Sequence, residues 1–168
     1  MAFRSIKLVD GFSTCFRQFK ATETRCALLH GYSISFRLTF EGNLDHRQWV
    51  IDFGFLKRSK TQVALPGGGR GSLHDWFHDV FDHTVVLAQD DPALAAFGKL
   101  AEQGFLTLRV LPAVGCERFA EFVFTMLDQF LDEEVGSRVQ IISVECFEHE
   151  RNSALYVRDR VAWDGRVG

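Results

Sequence analysis

Residues 26–40 read C-A-L-L-H-G-Y-S-I-S-F-R-L-T-F, a cysteine and a histidine four residues apart followed by eight alternating residues. In the alternating part Ile34, Phe36, Leu38 and Phe40 fall on one side and Ser33, Ser35, Arg37 and Thr39 on the other. That period of two belongs to a strand with one buried face. Residues 3–19 alternate as well, so the two runs are expected to form an antiparallel pair whose connection carries Cys26 and His30. A thiol and an imidazole then lie at one end of a sheet. A cysteine acts as base or nucleophile only as thiolate, and its reference pKa of about 8.5 has to be lowered by an imidazolium, a metal or a helix N-terminus. His30 is one such neighbour. On spacing alone the pair also reads as a small buried hydrophobe beside a hydrogen-bonded loop histidine.

The chain has 168 residues, 46% of them hydrophobic, which suits a single domain over 1–168 with a real core. A formal charge of −3 leaves no basic footprint, so nucleic acid and anionic membrane are not expected partners. Neither a signal peptide nor a membrane-spanning run is read in the chain. Cys15, Cys26, Cys116 and Cys146 show no C-x-x-C pairing and read as reduced thiols of a cytoplasmic protein. Seventeen phenylalanines point to a phenylalanine-rich core and subunit interface.

Further along, 43–49 reads as a polar turn with His46 exposed to solvent, and Asp52 leads into a short helix stopping near Ser59. Residues 64–72, A-L-P-G-G-G-R-G-S, break regular structure. They read as a loop insertion over 60–73; Gly67 to Gly71 would be mobile, or would let backbone N–H groups approach a phosphate beside Arg70. In S-L-H-D-W-F-H-D-V-F-D-H, His74 and His78 lie one helical turn apart, the spacing of a chelating pair, while Trp76, Phe77, Val80 and Phe81 form an apolar stripe. Asp82 and His83 end that helix, where adjacent residues on one face do not form a side-chain relay with each other. A helix over 92–103 ends at Gly104, an extended run follows over 105–111, and a second amphipathic helix occupies 116–131 with Glu117 in its first turn. Residues 139–148 alternate with Ile142, Val144, Cys146 and Glu148 on one side, and residues 152–153 turn into a last strand over 153–163. A carboxylate at the end of an apolar strand face is either exposed or matched by a ligand's donors, because burying it without partners is expensive. His149 is placed to orient it.

The motifs resemble those of the 6-pyruvoyltetrahydropterin synthase and 6-carboxytetrahydropterin synthase family. C-A-L-L-H-G-Y resembles that family's C-x-x-x-H-G-H, F-S-T-C-F-R its F-x-A-A-H-R, and W-V-I-D-F-G-F-L-K its G-x-V-x-D-F-x-x-L-K. F-D-H-T resembles its L-D-H, V-G-C-E-R-F-A its P-T-x-E-N-L-A, and V-E-C-F-E-H-E-R-N-S-A-L-Y its closing strand. The resemblance implies an α+β tunnelling fold (T-fold): a four-stranded antiparallel sheet with helices packed on one face, closed into an oligomeric barrel. It implies a homo-oligomer, hexameric or tetrameric, with sites between subunits. By the same resemblance Cys26 moves protons with Asp82 and His83, and Glu148 accepts the pterin's 2-amino and N3–H donors with Glu117 nearby.

The family also binds zinc through three histidines, and here Phe16, His30 and Tyr32 stand at those places. A catalytic zinc site needs three protein ligands and an open position, and neither phenylalanine nor an ordinary tyrosine replaces imidazole. The activity implied is that of a carbon–oxygen lyase on 7,8-dihydroneopterin triphosphate, giving 6-carboxytetrahydropterin, as in queuosine synthesis, or 6-pyruvoyltetrahydropterin. The alternative is a catalytically altered or inactive paralogue that binds a pterin or purine-like ring without zinc chemistry. A plain structural oligomer would bind no pterin at all.

Overall fold

A computed structural model describes residues 2–159. The alternating segments form β1, Phe3–Phe16, and β2, His30–Gly42, paired antiparallel from Phe3 opposite Gly42 to Phe16 opposite His30. The register shifts between Val9 and Phe12, where Gly11 adopts φ +89°. An inserted residue reverses which face each side chain takes. Phe12, Thr14 and Phe16 therefore share the buried face with Phe36, while Ile6 and Leu8, on the same even-numbered alternation, are turned out and stay exposed.

The helices pack on the buried face. After β2 come α1, Phe55–Arg58; a hairpin of β3, Val63–Ala64, with β4, Arg70–Gly71; and α2, Leu73–Phe81. Next are β5, Thr84–Ala88, α3, Leu94–Glu102, and β6, Leu108–Leu111. The chain closes with α4, Cys116–Val135, β7, Val139–His149, and β8, Asn152–Val157. Ser72 and Asp75 form a capping box that starts α2, whose Trp76, Phe77, Val80 and Phe81 turn inward as the spacing predicts. The phenylalanine core is confirmed in place: Phe12 stacks on Phe77 at 5.8 Å between centroids, and Phe81 meets Phe36 at 4.9 Å and Phe119 at 5.3 Å. Such contacts add about 1 kcal/mol each beyond the area they bury. His46 is exposed.

Four expectations are corrected. The sheet has six strands, in the order β6-β5-β1-β2-β7-β8, because β5 and β6 extend the antiparallel four with parallel pairings at the β1 edge. T-V-V-L-A is buried at all five positions, the continuous apolar run of a parallel strand rather than an alternating one. Residues 64–72 do hold regular structure: Gly67 N–H donates to Asp79 Oδ2 at 2.7 Å, and Arg109 Nη2 donates to Asp79 Oδ1 at 2.7 Å. A carboxylate thus takes the glycine amide that a phosphate would need. Ile142 lies at a second register shift, so Val139, Ile141, Val144 and Cys146 form the buried face of β7. The last strand begins at Asn152, one residue before the expected start, and its expected end at Trp163 lies outside the described residues. Among the described residues no helix is long and apolar enough to cross a membrane.

One ion pair fixes the connection between β1 and β2. Arg17 donates from Nε to Asp91 Oδ2 at 2.9 Å and from Nη2 to Oδ1 at 2.5 Å, and the Asp91 side chain is fully buried. This fastens the chain entering the connection to the turn after β5. Gln18 N–H then donates to Cys26 O at 2.8 Å, closing the loop on itself. The Arg17 hydrogen bonds hold the Asp91 carboxyl below its ordinary range, with burial opposing and the Ala93 amide assisting. A carboxyl depressed in the folded state contributes stability above its unfolded pKa, about 3.9, and loses that contribution as pH falls through the folded value. Asp91→Asn should therefore lower stability at pH 7 by about 2 kcal/mol and flatten the acid limb below about pH 4, read by urea unfolding across pH. An unchanged acid limb would remove this pair from the account.

Candidate functional site

The β1–β2 register decides which side chains meet. Phe16 lies directly opposite His30 and Thr14 directly opposite Tyr32, so all four share one face at the connected end of the pair. The three positions that the resemblance assigns to metal ligands are thereby brought together. What they form is an aromatic stack. The Phe16 and Tyr32 rings lie 4.0 Å apart at 16°, His30 packs on Tyr32 at 4.4 Å, and Phe119 of α4 meets Phe16 edge-on at 5.0 Å.

This donor set does not fit zinc. His30 Nδ1 lies 2.8 Å from Leu28 O, so Nδ1–H donates there and Nε2 alone remains as a ligand. Phe16 offers no lone pair. Burial raises the Tyr32 phenol above its usual pKa, and the negative charges of Glu148, Cys26 and Cys116 raise it further, so its proton stays on and phenolate is not available. Among the described residues no three His, Cys, Asp or Glu side chains converge to hold a metal ion. His74 and His78 face each other at 4.4 Å and do not join His30.

Around the stack lie the other groups. Cys26 sits in a single turn of 3-10 helix, Arg25–Ala27, where its N–H donates to the Thr24 hydroxyl at 3.2 Å. It is partly buried, whereas Cys15, next to Phe16, lies on the opposite face of β1. Glu148, half-buried, lies at a register shift between β7 and β8, close enough to raise the Tyr32 phenol. Its hydrogen-bond partner is Asn152, from Nδ2 at 3.4 Å; His149 instead accepts from Arg151 N–H at 3.1 Å and contacts Asn152 at 3.1 Å. His149 does not orient Glu148 directly. Glu117 is exposed in the first turn of α4, behind Gly115 at φ +117°. A Cβ at Gly115 would come within 2.6 Å of Gln18 Nε2, so glycine is needed for this approach.

Cys116 and Cys146 were read as a helix start, a strand-face residue and unpaired thiols, without a tie to the site, yet they belong to this neighbourhood. The Cys146 thiol is pushed well up, first by its hydrogen bond with Cys116, then by burial and by the charges of Cys116, Glu117 and Glu148. It stays protonated and is no nucleophile. Gln18 had no motif to announce it, and Asn152 and Cys116 lay inside quoted motifs without a role of their own.

Asp82 and His83 form a second cluster, against Ser13 of β1 and His78 of α2. Asp82 Oδ1 accepts from Ser13 N–H at 3.2 Å and from His83 Nδ1–H at 2.9 Å, and Oδ2 accepts from His78 Nδ1–H at 3.1 Å. The expectation that neighbours 82 and 83 do not relay through side chains is overturned. It presumed helical geometry, whereas Asp82 is extended and His83 has φ +55°. Clefts of about 380 Å³, between the β3–β4 hairpin and α4, and about 410 Å³, around Trp49 and Phe53, are lined by none of these groups.

Metal analysis tests the donor set. Protein expressed with zinc and gel-filtered should carry far less than one zinc per chain, and Phe16→His combined with Tyr32→His should raise this towards one. Stoichiometric zinc in the unaltered protein would contradict the assignment.

Residues 5–66 match the family model of 6-pyruvoyl tetrahydropterin synthase. None of the curated proteins compared with the chain matches it. An uncharacterized protein from Wolinella succinogenes shares the fold with TM-score 0.72 at 18% identity, over 95% of this chain and 99% of that one. The 6-pyruvoyl tetrahydropterin synthase of Caenorhabditis elegans does so with TM-score 0.57 at 17% identity, over 94% and 96%. The enzyme of that name from Plasmodium vivax, in a catalytic-residue mutant, gives TM-score 0.59 at 17% identity, over 93% and 98%. By the sequence match over residues 5–66 the chain resembles the 6-pyruvoyl tetrahydropterin synthase family, and it shares the fold of that family's solved structures.

Proposed function

We propose that this chain binds a reduced pterin by the pyrimidinone edge at Glu148 and acts on its side chain by acid–base chemistry alone. The reaction is that of a carbon–oxygen lyase on 7,8-dihydroneopterin triphosphate. The observation that carries the reading is the half-buried Glu148, close enough to raise the Tyr32 phenol, with Tyr32 itself stacked on Phe16 and His30. A carboxylate accepts two parallel N–H donors, and the 2-amino and N3–H groups of a pterin present such a pair. Cys26 as thiolate takes a proton from a side-chain carbon, the bond to the triphosphate oxygen breaks, and its electron pair leaves with the triphosphate. His83, supported by Asp82, exchanges the remaining protons. No step passes through zinc. Whether the product is 6-pyruvoyltetrahydropterin or 6-carboxytetrahydropterin depends on the course of the side chain after elimination.

Assembly supports the same reading. β5 pairs with β1 only over Thr14–Phe16, leaving the earlier part of β1 without a neighbour on that side among the described residues, and β6 and β8 are the edge strands of the sheet. Exposed Ile6, Leu8, Leu155 and Val157 lie on these two strands. Edges of this kind are closed by strands of further copies. We take the protein to be a homo-oligomer, hexameric or tetrameric, in which Asp82 and His83 of one copy face Cys26 of another. The free cysteines suit a reducing cytoplasm.

The aromatic stack favours a second reading, in which the site holds a pterin or purine-like ring and does not cleave it. Incubation with 7,8-dihydroneopterin triphosphate and mass analysis of products separates the two. The first reading expects triphosphate release and a tetrahydropterin product, with turnover lost in Cys26→Ala by at least about 100-fold while binding is kept. Substrate recovered intact although bound would sink the lyase reading and leave the second.

A further inference from the structure

From the contacts of Asp82 we infer that His78 is a positioning residue: it locks the carboxylate between two imidazoles so that His83 presents Nε2 outward as its reacting nitrogen. The inference deepens the reading of Asp82 and His83 as the acid–base pair and rests on it for its catalytic meaning.

A carboxylate can only accept. With Asp82 Oδ1 taking His83 Nδ1 at 2.9 Å and Oδ2 taking His78 Nδ1 at 3.1 Å, both rings must carry their proton on Nδ1. The Ser13 amide adds a third donor on Oδ1 at 3.2 Å, so the carboxylate cannot rotate without breaking one of these bonds. Burial raises the Asp82 pKa, but the Ser13 amide and then the two histidines outweigh it and hold the group below its ordinary range.

His78 is fixed on its other sides. Its ring meets Phe12 edge-on at 5.3 Å and His74 at 4.4 Å, and its carbonyl accepts the Asp82 N–H at 2.9 Å. Backbone and side chain thus tie residue 78 to residue 82 twice across the end of α2. His74 is the other titratable ring against it; burial first, then His78 and Lys57, hold His74 below its usual pKa, with Asp75 opposing. His83 sits at φ +55°, an uncommon conformation for a residue with a side chain, held by its N–H donating to Ser13 O at 2.7 Å. That turn projects the ring outward with 85% of its side chain exposed. With Nδ1 engaged, Nε2 carries the lone pair that meets whatever approaches. A histidine oriented through its second nitrogen by a carboxylate is poised for proton transfer, and anything that frees the carboxylate lets the ring turn.

Two-bond proton–nitrogen correlation spectra of the imidazoles, recorded above the titration of both rings, distinguish the tautomers without turnover. In the full protein His78 and His83 are both expected as Nδ1–H. In His78→Leu, His83 should move to the Nε2–H-dominated mixture of free imidazole, and in His78→Gln it should return, because glutamine at i,i+4 can donate to the same carboxylate. Asp82→Asn should shift both rings. If His78→Leu fails to fold, His78→Phe keeps a ring on Phe12 and replaces it. An Nε2–H tautomer for His83 in the unaltered protein would overturn the inference, as would no change in His83 on losing His78. Where turnover of the dihydropterin triphosphate is seen, kcat should fall about tenfold in His78→Leu with KM kept, and recover in His78→Gln. Absence of turnover in the unaltered protein would count against the lyase reading alone, since the tautomers still decide the role of His78.

Discussion

The register of β1 on β2 is the constraint on which the rest depends. Pairing Phe16 with His30 and Thr14 with Tyr32 puts four side chains of two distant segments on one face. A slip by one residue would send all of them to the opposite face and leave Phe36, Leu38 and Phe40 in water. The phenylalanine core makes such a slip prohibitive, since fully burying a ring of this size is worth about 2 kcal/mol over leaving it exposed. The same burial that stabilises the domain therefore assembles the site, and the bulge near Gly11 reconciles a long strand with a core that begins only at Phe12.

Within this frame an aromatic stack stands where the family's metal ligands are expected. Three imidazoles would impose a charged centre on the face beneath α4; Phe16 and Tyr32 instead extend the apolar core to the mouth of the site, with Phe119 behind them. The polar functions that remain are peripheral to the stack: Glu148 held by Asn152, Cys26 in its capped turn, and Glu117 beside Gly115. Their surroundings favour neutral phenol and thiol at Tyr32 and Cys146, so recognition of a planar ring with an N–H edge suits this site better than metal-assisted polarisation. Asp82 and His83 form a separate cluster with His78 and Ser13, and the proposed reading has contact between copies bring it to Cys26.

What the sequence discloses follows from periodicity. β1, β2, α2 and α4 carry long, regular patterns with turn or cap residues at their ends, and each stands within a few residues of where those patterns place it. β5 escapes such reading because five consecutive buried residues carry no period. The bulges at Gly11 and Ile142 escape it because a single inserted residue leaves the alternation visible and exchanges its meaning, so that Ile6 and Leu8 look like core and are not. At the site, Phe16, His30 and Tyr32 were legible as a set through the motifs, but their stacking was not. His78 was legible only as half of a histidine pair. Its tie to Asp82 is an i,i+4 contact that the sequence contains, and it went unread because the end of α2 was taken as helical through His83.

The central proposal is that Glu148 grips a pterin edge beside Tyr32 at a site that needs no metal. Calorimetric titration of a non-hydrolysable dihydropterin into the purified protein, with a strong chelator present throughout, tests it most directly. The account predicts saturable binding that the chelator leaves unchanged and that Glu148→Gln weakens at least about 100-fold, the loss expected when a bidentate, charge-assisted pair of hydrogen bonds is broken. Binding that vanishes with the chelator, or that Glu148→Gln leaves intact, would contradict it.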